Sequence, residues 1–293
     1  MIDWREVEIS DRNKINELLC ASGCHNADYC FANLFMWRKE YNSLISFNDN
    51  RLLVGNPEWH MYAYPKGDGE FVPSVELLLE EAHSHGDKLM LRGLTDKTLD
   101  EFMPVYGDRF EISEDRENAD YIYSIDKLAN LPGRHLASKR NHINKFERNG
   151  KWEFRKVDSV DLHPAKEFVA KFFEEKDDPE LKSEAVAMKE MFDHFDELEF
   201  MAGMLYQNDE AVAFTAGTRL DKETFDVHFE KALPDAEGAY TMINREFARL
   251  IASEYPEIEF INREEDMGLE GLRKAKFSYH PDLLLMKYYA REK

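Results

Sequence analysis

The sequence has no run of eighteen or more apolar residues, so no stretch of it reads as a membrane-spanning helix. Its start, Met1-Ile-Asp-Trp-Arg-Glu-Val-Glu, lacks the basic and apolar regions of a secretory leader. Cysteine is scarce: Cys20, Cys24 and Cys30 are the only three. An odd, clustered set is a poor basis for a disulfide framework and points to a reducing compartment. Cys20-x-x-x-Cys24-His25 has the look of half a zinc site, but a closed site takes four ligands and no second cluster follows, so no metal is expected. Positive charge is also short, with 38 Lys and Arg against 59 Asp and Glu and a net charge of −21. That far field repels phosphate, which excludes a general nucleic-acid or anionic-membrane binder and leaves room only for a local basic patch. Missing too are a Walker loop, a dinucleotide glycine fingerprint, a His-Glu-x-x-His helix and a Ser-His-Asp triad.

What is present is core-forming material. Of 293 residues 43% are hydrophobic and 13% aromatic, too many for a disordered chain. The expectation is a cytoplasmic α/β protein, long enough for one large domain or two. In the first half, helices are expected from Ser10 to about Ala21, from Tyr29 to Lys39 and from Pro73 to about His85, with an apolar run at 88–94. Strand-like runs fall at 43–47, 51–55, 60–64, 109–112 and 121–125. Leu131-Pro132-Gly133 breaks the pattern, and residues 134–149 read as a helix stopped by Gly150. Between 134 and 156 stand eight Lys or Arg and two Glu, the one basic island of the chain. Helices then fit 164–176 and 182–195. Strands at 198–207, 210–220 and 223–232 follow, then a helix at 239–253, a strand at 258–262, a short helix at 268–276 and a strand at 283–289.

That order, a meander followed by a glycine-bearing loop, helix, strand, helix and strand, is the layout of a GNAT-type acyltransferase domain. There the loop before the helix offers unpartnered first-turn N–H groups to an anion. Here the loop is Leu233-Pro-Asp-Ala-Glu-Gly238-Ala239-Tyr240, with one glycine and two acids. It suits a tight helix start better than a pyrophosphate cradle.

The densest segment runs from Asn262 to Pro281. Glu264, Glu265, Asp266 and Glu270 mix with Arg263, Arg273, Lys274 and Lys276 within fourteen positions. It follows an apolar strand, where open α/β sheets place ligands. A salt-bridged loop is the alternative use of such a charge run. This segment, with Asp266-x-Gly268, Gly271-Leu272-Arg273-x-x-Lys276 and Tyr279-x-Pro281, resembles the C-terminal motif of phosphatidylglycerol lysyltransferase catalytic domains. It resembles still more a soluble bacterial branch sharing that domain. The resemblance extends to the basic helix Ser138–Phe146, to Val227–Ala232 with Gly238-Ala239-Tyr240 and Asn244, and to Asn33–Arg38.

The resemblance implies two tandem GNAT-like domains, residues 1–130 and 131–293, with a cleft between them, as in Fem-type peptidyltransferases. It also implies transfer of an aminoacyl group from aminoacyl-tRNA to a soluble or lipid-derived amine or hydroxyl acceptor, with no tightly bound cofactor. The absence of a membrane-spanning half separates this sequence from the lysyltransferases. Two other functions stay open: a coenzyme A-dependent N-acetyltransferase taking acyl-CoA as donor, and a non-catalytic module binding tRNA or an anion.

Transfer of an ester-linked acyl group needs a proton acceptor, donors for the developing oxyanion and cations for the carrier's phosphates. Glu230 and His228 alternate on a strand and so should share a face as candidate bases. Glu264 and Asp266 are candidates to orient an amine, and Lys276 or Arg273 to hold the oxyanion or a phosphate. Arg134, Lys139, Arg140, Asn144 and Lys145 are the candidate carrier surface. Gly238, Tyr240, Asn262, Arg263 and Tyr279 complete the expected substrate site.

Overall fold

The computed structural model describes residues 2–22, 25–174 and 179–293. Cys24 and the end of the helix expected at 164–176 lie outside them. The chain divides into two compact units: Met1–Asp120 with Glu265–Arg273 and Leu284–Lys293, and Tyr121–Glu264 with Lys274–Leu283.

In chain order the first stretch forms α1 (Arg12–Ser22), α2 (Phe31–Met36), β1 (Leu44–Asn48), β2 (Arg51–Asn56), β3 (Met61–Ala63) and β4 (Lys66–Gly67). It continues through α3 (Phe71–Ser84), β5 (Met90–Leu94), α4 (Asp96–Tyr106) and β6 (Phe110–Ser124). Next come α5 (Ile125–Asn130), α6 (Ala137–Arg148), β7 (Trp152–Lys156), α7 (His163–Phe173), α8 (Pro179–Asp193), β8 (Met201–Gln207), β9 (Glu210–Arg219) and β10 (Thr224–Ala232). The chain closes with α9 (Ala239–Glu254), β11 (Phe260–Asn262), α10 (Glu270–Phe277) and β12 (Leu283–Glu292).

In the first unit the strand order is β1-β2-β3-β5-β12-β6. Asp49 and Asn50 both take positive φ (44° and 57°) and so turn β1 back on β2 with the twist a two-residue hairpin needs. The core against this sheet is aromatic, built on Tyr62, Tyr64, Phe102 and Phe110 with Leu78 and Leu91. In the second unit β7, β8, β9 and β10 form an antiparallel meander. β11 then joins β10 in parallel and β6 antiparallel. The mixed α/β class follows from this order.

Several elements differ from expectation. The aromatic helix is confined to α2, because Asn26 first caps a short 3-10 turn over Ala27–Tyr29. Helix α4, absent from the expected elements, starts at a reciprocal cap between Thr95 and Thr98 and carries Pro104 in its interior. The two short strands expected at 109–112 and 121–125 are one strand, β6, whose polar middle shows no apolar alternation. That middle is held instead by contacts with a distant segment: the Met267 N–H donates to the Glu117 carbonyl, and Arg116 pairs with Asp266 at 3.1 Å.

Candidate active site

Two strands of the second unit run parallel, with Thr224 opposite Phe260 and Asp226 opposite Asn262, and α9 connects them in sequence. Their C-terminal ends therefore open on the same side, and Glu230 and Arg263 emerge there. Arg263 donates to Glu230 at 2.8 Å, and the Asn244 amide on α9 donates to the other carboxylate oxygen at 3.1 Å. The side chains of Arg263 and Glu230 are 13% and 10% exposed, so solvent screens this pair little. Burial works against the Arg263 charge, but Glu230, Tyr123 and Tyr279 outweigh it and raise its pKa.

Tyr279 is buried beside them, and burial pushes its hydroxyl up to about 12 even with Arg263 pulling the other way and Thr241 hydrogen-bonded to it. Its ring carries two cations, the Lys139 Nζ at 3.8 Å and the Arg263 guanidinium carbon at 5.1 Å from the centroid. Lys139 belongs to α6, and burial and Arg263 bring its pKa down to about 8 despite Glu230. Glu230, Arg263, Asn244, Thr241, Tyr279 and Lys139 thus form one cluster drawn from β10, the residue after β11, α9, α6 and the turn after α10.

Gly238 sets how α9 meets that cluster. Its φ is +89°, and a Cβ there would lie 2.5 Å from the His142 carbonyl of α6. The glycine is required by the left-handed backbone and by the close approach of two helices. The Ala239 N–H is already taken by the Ala236 carbonyl. Gly238→Ala should therefore cost about 2 kcal/mol or more of stability. A thermal melt within 1 °C of the parent would contradict that packing. Tyr240, next along, is 47% exposed, and burial of its hydroxyl end raises its pKa.

His228 is placed elsewhere. The shared face expected for His228 and Glu230 is overturned by a β-bulge in β10: Val227 pairs with Gly217 and Phe229 with Ala216, so His228 is the extra residue and alternation breaks there. His228 Nε2 lies 2.8 Å from the Thr218 hydroxyl, its Nδ1 3.0 Å from Glu264 and 3.6 Å from Asp226. Its side chain is 1% exposed. Asn262 is buried, and its side-chain oxygen accepts from the Glu264 N–H, which fixes Glu264 at a φ of +57°. Glu264 thus serves His228, whereas Glu230 serves Arg263 and Asn244.

Lys276 donates from Nζ to the Arg263 carbonyl at 2.5 Å, and its own carbonyl accepts from the Tyr123 hydroxyl. It braces the backbone that carries Arg263. Asp266 and Arg273 belong to the first unit. There Asp266, wholly buried, accepts from Arg273 Nε and Nη2 at 2.9 and 2.8 Å, from Arg116 and from the Gly268 N–H. Helical i,i+3 spacing also sets Arg273 beside Glu270, but Arg273 makes this two-pronged bond to a buried carboxylate, the stronger geometry.

The basic helix distributes its charges. Arg140 donates to the carbonyls of Leu131 and Gly133, Lys145 pairs with Glu237 at 2.5 Å, and Arg134 stands exposed ahead of α6. Arg140 and Asn144 also line a cavity of about 340 Å³ with Arg245 and Arg249 of α9. Those two arginines were not singled out from sequence, and their i,i+4 spacing on a helix of mixed charge carried no distinguishing signal. Cys20, half-buried, and Cys30, buried, are in no disulfide among the described residues.

A meander, a helix started at a left-handed glycine, a parallel strand and a cluster at the strand ends define an acyltransferase fold of the GNAT kind. A tandem GNAT protein from the clavulanic acid biosynthesis pathway has this fold over 99% of the present chain and 98% of its own, with a TM-score of 0.51 and 9% identity. The chain belongs to the family described as phosphatidylglycerol lysyltransferase, C-terminal, which it matches over residues 22–291. A conserved protein of unknown function from Bacteroides thetaiotaomicron VPI-5482 is similar over the full length of both chains, with 33% identity and a TM-score of 0.91. L-PGS from Bacillus licheniformis is similar over 99% of this chain and 94% of its own, with a TM-score of 0.67 and 16% identity. By sequence, the uncharacterized protein MYCGA3080 of Mycoplasmoides gallisepticum is 21% identical over 179 residues, 59% of this chain and 56% of that protein. The match thus spans little more than half the length of that relative. No helix among the described residues is long and apolar enough to cross a membrane.

Proposed function

We propose that this protein is an aminoacyltransferase, moving an aminoacyl group from aminoacyl-tRNA onto an amine or hydroxyl acceptor. The observation that carries the reading is the Glu230–Arg263 pair at the C-terminal ends of two parallel strands, beside the start of α9. In such a transfer the acceptor's nitrogen or oxygen attacks the ester carbonyl, and charge develops on the carbonyl oxygen. A largely buried guanidinium held by a carboxylate that Asn244 in turn fixes is preorganised to face that charge. Glu230, the carboxylate bonded to Arg263, is assigned to take the acceptor's proton, with Asn244 still donating to its other oxygen. Thr218, His228 and Glu264 support the strand ends from the bulge. The exposed charges of Arg134 and Lys145 offer contacts to the carrier's phosphates, and the family name makes lysyl-tRNA the first donor to test.

Isothermal titration with lysyl-tRNA, uncharged tRNA and coenzyme A tests the donor. Binding of either tRNA should weaken by about tenfold or more between 50 and 200 mM salt, because each neutralised phosphate releases counterions. Arg134→Ala/Lys145→Ala should lower the slope of log affinity against log salt by about 1–2. Binding of coenzyme A with no heat from either tRNA would turn the assignment to an acetyltransferase.

A further inference from the structure

Lys139 is the cation of α6 that the carrier surface leaves over. Its neighbours on the helix are otherwise engaged, Arg140 with two carbonyls and Lys145 with Glu237. Lys139 turns inward instead, 3.8 Å above the Tyr279 ring, and among the described residues its amine has no hydrogen-bond acceptor or ion-pair partner. The charged and titratable groups facing it come from three other elements. Glu230 of β10 is the anion, Arg263 after β11 is a second cation over the same ring, and Tyr279 follows α10. Glu230 is bonded to Arg263 and Asn244, so the one nearby carboxylate is spent on the guanidinium. His135, ahead of α6, packs edge-on against His280 instead.

A lysine that is desolvated and set beside another cation is how proteins make a reactive amine. We propose that Lys139 is a nucleophilic amine that accepts an acyl group from an activated ester. The Nζ lone pair attacks the carbonyl carbon, and the bond from that carbon to the leaving oxygen breaks, the oxygen departing with the electron pair. The Nζ proton goes to solvent, and an amide remains on Lys139. Arg263, the second cation over the Tyr279 ring, is assigned to the carbonyl oxygen while that oxygen carries negative charge.

The inference needs neither the tRNA donor nor the acceptor, so it stands or falls apart from the transferase reading. With its pKa near 8, about a quarter of the Lys139 amine is neutral at pH 7.5, against about one part in a thousand for an ordinary lysine. The experiment exposes the intact protein briefly to p-nitrophenyl acetate between pH 6.5 and 10 and measures acetylation at each lysine by peptide mass spectrometry. Lys145, exposed on the same helix, is the internal reference. At pH 7.5 Lys139 should acetylate at least tenfold faster than Lys145. Its rate should level off above about pH 8, whereas ordinary lysines go on accelerating toward pH 10. Glu230→Gln, which removes the opposing anion, should raise the Lys139 rate at pH 7 further. Equal or slower labelling of Lys139 at pH 7.5, or rates that climb in parallel to pH 10, overturns the proposal. A protein that labels selectively at Lys139 yet binds no tRNA would overturn the transferase reading alone.

Discussion

Lys287→Met should destabilise the protein by about 3–5 kcal/mol, the cost of leaving a buried charge without its partner. Lys287 is wholly buried and donates to Asp120, also wholly buried, at 2.8 Å and to Asp28 at 2.5 Å. Asp120 in turn accepts from the Ala27 N–H at 2.9 Å. Burial pulls the ammonium's pKa down, but Asp120 and Asp28 outweigh it and hold the pKa well above the ordinary value. A raised folded pKa means that the contribution is fully present below the unfolded value near 10.4 and is lost only as pH climbs above it. Burial already raises the Asp120 pKa and the loss of Lys287 raises it further, so the deficit of the variant should be largest at high pH and shrink as pH falls and the orphaned carboxylate takes a proton. The melting temperature should fall by roughly 10 °C. Adding Asp120→Asn to Lys287→Met should recover part of the loss, because the orphaned carboxylate is then gone. A melt of the single variant within 2 °C of the parent would show that the trio contributes little.

Glu230→Gln and Arg263→Lys should each lower the transfer rate by about 100-fold or more, the usual cost of losing one well-placed oxyanion donor or its support. Glutamine keeps the volume of Glu230 but gives up the charge that orients Arg263 at 2.8 Å. Lysine keeps the charge of Arg263 but not the planar group whose Nη2 holds Glu230 while the guanidinium lies over the ring of Tyr279. The loss belongs in kcat rather than KM, since the group is asked to act on charge that exists only in the transition state. His228→Gln, acting through Glu264 and the bulge, should cost less. Full activity in both Glu230→Gln and Arg263→Lys would place the reaction elsewhere.

Local pattern carried a good part of this protein. The meander of β8, β9 and β10 was legible because three strand-like runs follow one another across short connections, and the turn at Asn208-Asp209 takes positive φ at both residues (52° and 67°). Helix α9 was legible from its periodicity and from Gly238 before it, and β11 from the apolar run that follows. The segment 262–279 stood out through its charge density, and Arg263, Tyr279 and Lys276 do come together there with Glu230.

Partnership within that charge density was not legible. Asp28, Asp120 and Lys287 are far apart in sequence, and each taken alone is an ordinary surface residue type. The polar middle of β6 has no strand periodicity of its own and is extended because the 266–268 segment bonds to it. Nor does local spacing show that Lys139 lies inside and Lys145 outside, two basic residues on one helix with opposite fates. Secondary structure follows from neighbours along the chain, which a linear reading contains. The choice of which carboxylate a buried cation meets is made by desolvation after the elements have packed, because only then does an unpaired charge become costly.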